Sequence, residues 1–110
     1  MALDIEKIAK DMLAAALPLL GKAGQDADAF AKVEFTKIAH TIVAIGEDLA
    51  ARRIDQQQAE LLLDMQKLAS RNVLLTIEGL GLLAVEAALN AALDVIKKAV
   101  NTALGVVLIA

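Results

Sequence analysis

A large aliphatic residue returns every seventh position along the second half of the chain: Leu61, Leu68, Leu75, Leu82, Leu89 and Ile96, with Ala103 next in line. A seven-residue apolar period is the signature of a helix packed along a seam against other helices. It predicts a helix from about residue 56 to 108, and the rest of the chain must be arranged around it. At 1.5 Å per residue such a rod would be about 80 Å long.

Two shorter helices precede it. The first is expected over residues 4–20, with Asp4 as its N-cap and Leu3 and Ile8 spaced as a hydrophobic staple. Ile5, Ile8, Met12, Ala15 and Leu19 would form its buried face. Pro18 lacks an amide to donate and should end or kink this helix, with Gly21 and Gly24 completing the break. The second helix is expected over residues 26–53, capped by Asp26, with Phe35, Ile38, Ile42, Ile45 and Leu49 facing inward. The sharpest local signal follows it. Asp55 with Gln58 three residues on spells a capping box, flanked by Ile54 and Ala59 as a staple.

The third helix has no clear stop in the sequence. Gly79 and Gly81 each cost about 1 kcal/mol relative to alanine in a helix interior. No Pro, Asn, Asp or Ser accompanies them, and the heptad phase passes from Leu75 to Leu82 unchanged. These features predict a helix that continues, or kinks, through the glycines. Helices one and two could cover roughly 25 Å and 40 Å of that rod. Residues 82–109 would then lack a partner within the chain and act as an oligomerisation segment. The expected interface is Leu75, Leu82, Val85, Leu89, Leu93, Ile96, Val100, Leu104 and Val107. Asn72, Glu78, Glu86, Asn90 and Asp94 are the polar positions expected to fix its register.

Composition points the same way. Apolar types make up 58% of the 110 residues, against about 45–50% in ordinary globular domains, and the mean hydropathy is +0.60. The surplus needs a protein interface, a lipid phase or an apolar ligand to cover it. Aromatics are limited to Phe30 and Phe35 and the net charge is −3. That argues against base-stacking and phosphate-backbone recognition, hence against a nucleic-acid partner. With no cysteine there is no disulfide or thiolate chemistry to consider. The acidic start, Met1 to Lys7, does not read as a signal peptide, so a cytoplasmic location is expected.

No constellation speaks for catalysis, a metal, a cofactor or a small-molecule substrate. His40 is the lone histidine, and Lys37 stands where a di-iron Glu-x-x-His pair would need Glu. Ser70 has no histidine at motif spacing, and Gly79-Leu80-Gly81 lacks the strand and third glycine of a dinucleotide site. The expected protein is therefore an all-α, 1–110 single domain: a non-enzymatic homo-oligomer with a structural or interaction role. The alternative is a membrane-inserting, pore- or holin-like oligomer. Its acidic residues Glu78, Glu86 and Asp94 would have to face a pore or a neighbouring helix.

Overall fold

A computed structural model of the protein describes residues 4–77 and 79–105, the Gln25 side chain excepted. The described residues form four helices and no strand: α1 (Ile5–Asp26), α2 (Asp28–Ala50), α3 (Gln56–Leu74) and α4 (Leu82–Leu104). The all-α class read from the sequence holds; the count and lengths of the helices differ.

α1 opens as its cap residue implies. The Lys7 amide donates to the Asp4 carboxylate at 3.2 Å, which satisfies one of the free amides of the first turn. Leu3, the other half of the expected staple, lies outside the described residues. Pro18 does not end the helix. The break falls at Gly21, whose φ of 69° and ψ of −157° are non-helical and accessible to a residue without a Cβ. The inward stripe settles on Ile8, Met12, Ala16 and Leu20, leaving Leu19 exposed.

Asp26 is the last residue of α1 rather than the cap of α2, and Ala27 stands at that cap without a side-chain hydrogen bond. A one-residue link leaves no extended segment for Asp26 to cap from. Asp28 still places a carboxylate in the first turn of α2, where the helix dipole favours it. α2 stops at Ala50, three residues before the expected end. Arg53 and Arg52 donate their amides to the Asp48 and Leu49 carbonyls, at 2.9 and 3.1 Å. Arg52 sits at φ 61°. This is a Schellman-type stop with arginine where glycine is commoner. The capping box then starts α3 as the sequence implies: Gln58 N donates to Asp55 Oδ1 at 2.8 Å, and Asp55 N to Gln58 Oε1 at 2.9 Å.

The continuous helix expected over residues 56–108 is two helices, α3 and α4, with the chain reversing between Leu75 and Gly81. The Leu80 amide donates to the Ile77 carbonyl at 3.2 Å. Gly79 is the third residue of that turn, at φ 89°, a conformation glycine takes without steric cost. The apolar residues that made the link look helical are used differently. Ile77 is buried and Leu80 packs against the core, so the turn plugs the bundle with its own side chains. Gly105, at φ 66°, closes α4, its amide donating to the Asn101 carbonyl at 3.0 Å.

α4 packs most extensively on α1, and α2 also touches both; α1 and α3 do not meet. Phe35, Ile38 and Ile42 of α2, Met12 of α1, Leu74 of α3, and Val85, Leu89, Ile96 and Val100 of α4 form the fully buried centre. Gly46 lets α2 and α4 approach closely, since a Cβ there would collide with the Val100 side chain. α3 is the peripheral helix, held mainly by α2 through Ala59, Leu63, Ser70 and Leu74.

Gly79→Ala discriminates the reversal from a continuous helix by sign. In the turn, the substituted residue is strained at positive φ and its Cβ meets that of Ala23 at 3.3 Å, so stability should fall by about 1–2 kcal/mol. In a helix interior, the same change would raise stability by about 1 kcal/mol. Denaturant titration of the two proteins reads the difference.

Candidate functional site

The reversal splits the heptad line between two environments. On α4 it points inward: Leu89 and Ile96 are buried, as are their companions Val85, Leu93 and Val100. Leu104 is partly buried against the same core, and Leu75 packs there from the end of α3. Seven of the nine residues expected to form a subunit interface thus serve the core of their own chain. Leu82 is half exposed, and Val107 lies outside the described residues.

On α3 the same line points outward. Leu61 is 60% exposed, Met65 56% and Leu68 50%. Their four-then-three spacing makes one stripe, bordered by exposed Leu62 and ended by exposed Asn72. Two half-exposed or more exposed leucines, Leu82 and Leu83, open α4 at the other side of the turn. α3 is therefore apolar on two opposite faces. One is spent on α2 and the other meets solvent.

Beside this stripe runs a groove of about 400 Å³ between α3 and α4, lined by Asp64, Lys67, Leu68, Arg71, Glu86, Leu89 and Asn90. One ion pair crosses it. Arg71 Nη1 lies 3.4 Å from Glu86 Oε1, with both side chains partly exposed, so screening holds its contribution to about 0–1 kcal/mol. Arg71 Nε is buried and makes no hydrogen bond. Of the polar positions expected to fix register, Glu86 and Asn90 meet in this groove. Asp94 sits farther along α4 and pairs with Lys97 at 3.9 Å; Glu78 lies outside the described residues.

Sequence reading missed Arg71 as a link between helices, and also Glu34, an acidic residue buried in α2. The signal for Arg71 was present as a basic residue in the last turn of a helix, but its partner on α4 depends on the reversal. His40 lies on an exposed face of α2 beside Lys37 and Thr36, and Ser70 is buried, accepting from Gln66 Nε2 at 2.9 Å. Among the described residues, no group of three or more His, Cys, Asp and Glu could hold a metal ion. Nor, among them, is any helix long and apolar enough to cross a membrane.

No family model, curated protein or solved structure matches the chain.

Leu89→Asp separates the two roles a heptad leucine can have. At 1% exposure the carboxylate would be buried without a partner, costing about 3–5 kcal/mol of stability and lowering the thermal midpoint of the whole bundle. An interface residue would instead change particle mass and leave the midpoint of the separated chain unaltered. Circular dichroism with light scattering follows both.

Proposed function

We propose that the protein is a non-enzymatic, homo-oligomeric helical protein with a structural or interaction role, and that copies meet through the outer face of α3. The observation that carries this reading is the Leu61–Met65–Leu68 stripe, with all three side chains at least half exposed. Isolated surface leucines are ordinary, whereas a contiguous apolar strip at coiled-coil spacing is what one helix offers another.

The driving force is burial. A large aliphatic side chain contributes about 1.5–3 kcal/mol when fully removed from water, and these residues retain roughly half of that opportunity. Leu62, Leu82 and Leu83 add to the surface that a partner can cover. Lost rigid-body and side-chain freedom opposes the gain, so the stripe gives a direction rather than a net affinity. The wish for partners inferred from an apolar-rich chain thus persists, but on α3 instead of α4.

Light scattering after size exclusion in detergent-free buffer tests this. The expected particle mass is a small multiple of 11.5 kDa. Met65→Asp should reduce it to one chain while leaving helicity unchanged, because Met65 makes no part of the buried core. A single-chain mass for the unaltered protein at micromolar concentration would overturn the reading. So would a particle that forms only on lipid vesicles.

A further inference from the structure

We propose that two copies pair through α3 as an antiparallel, two-fold helix pair, in the register that sets Met65 opposite the partner's Leu68. This rests on the self-association reading above and specifies its geometry. The evidence is the distribution of charge along the stripe.

In heptad terms the outward seam of α3 is Gln58, Leu61, Met65, Leu68 and Asn72. One border carries Gln57, Asp64 and Arg71; the other carries Leu62 and Ala69. Asp64 and Arg71 are therefore the charged residues bordering the seam, of opposite sign, seven residues apart and on the same side. Border charges of this kind set partner orientation in helix pairs.

Three alignments bring the apolar residues together, and the charges separate them. With Met65 opposite the partner's Leu68, like borders face each other and Asp64 meets the partner's Arg71, twice by symmetry. Slipping by one heptad, so that Met65 meets the partner's Leu61, brings Asp64 against the partner's Asp64. Parallel pairing sets each border against the opposite one, so that Asp64 faces the partner's Ala69 and no charges pair. The first alignment gains two attractions, the second incurs a repulsion and the third has neither. A two-fold interface must be self-complementary, and the first alignment meets that condition.

Arg71 can serve both contacts. A guanidinium carries five N–H donors in a planar fork, and its pair with Glu86 occupies Nη1 at 3.4 Å. A third of the side chain is exposed at the groove mouth, and that exposed part of the fork is what a second carboxylate can reach, the Nε being buried. A carboxylate arriving beside α3 would complete a Glu86–Arg71–Asp64 bridge across the two copies. Asn72, opposite the partner's Leu61, ends the apolar run and disfavours extending the overlap.

Because the chain has no cysteine, full-length single-cysteine variants report the alignment directly. Leu61→Cys and Asn72→Cys, oxidised as a mixture, should give a mixed disulfide dimer of twice 11.5 kDa. Leu61→Cys oxidised alone should remain one chain, since the two copies of position 61 would be about 16 Å apart along the axis, beyond disulfide reach. Self-crosslinking of Leu61→Cys would show parallel pairing and overturn the proposal. Crosslinking of Leu61→Cys to Met65→Cys in preference to Asn72→Cys would show the slipped register and overturn it too. In both cases the particle would still be oligomeric, so self-association itself would stand. A single-chain particle mass, measured on the same samples before oxidation, would remove both.

Discussion

The reversal between α3 and α4 governs where every apolar surface of this molecule ends up. One residue, Gly79 at φ 89°, lets the chain turn while Ile77 and Leu80 remain on the core side. Were the turn straightened, α4 would leave its place against α1 and α2, and Val85, Leu89, Ile96 and Val100 would meet water. With the turn in place, those side chains supply the centre of a four-helix bundle, and the unpaired strip falls to α3. Burial of α4 stabilises the turn, and the turn permits that burial.

Local chemistry was legible in the sequence. The Asp4 cap and the reciprocal Asp55–Gln58 box form as the residues dictate, because a cap depends on atoms three residues away. The α2 face of Phe35, Ile38, Ile42 and Ile45 was equally readable, since a single buried stripe fixes the rotation of its helix. Long-range placement was harder. The heptad line runs unbroken in the sequence from Leu61 to Ile96, yet a turn without Pro, Asn, Asp or Ser resets its direction. Thr76 and Glu78 are the polar residues of this link, and the Thr76 hydroxyl donates to the Val73 carbonyl at 2.6 Å, a weak local signal of a helix end. The usual turn-forming residues were missing, and Ile77 and Leu80 stand in the link because this turn is itself part of the core.

The same reasoning explains which part of the site could be read in advance. An excess of apolar side chains was evident from composition, but composition does not say which helix carries it. α3 holds two stripes, Ala59–Leu63–Ser70–Leu74 facing α2 and Leu61–Met65–Leu68 facing outward. The first contains a serine and the second is the more hydrophobic, so pattern strength alone selects the wrong face as buried. Contact with α2 decides it, and the short α2–α3 link bridged by the Asp55 box determines how α3 docks. Arg71 and Glu86 become neighbours through the same docking, fifteen residues apart in the chain and 3.4 Å apart in space.

The central claim is that α4 folds back alongside α3 within one chain. Spin labels on cysteines introduced at Gln57 and Thr102, diluted with unlabelled protein, measure this by pulsed dipolar spectroscopy. Folded back, the two sites lie within a molecule that extends 41 Å along its longest axis, and the distance should fall far short of a rod's. A continuous rod would separate them by about 68 Å, and a distance of that size would contradict the account.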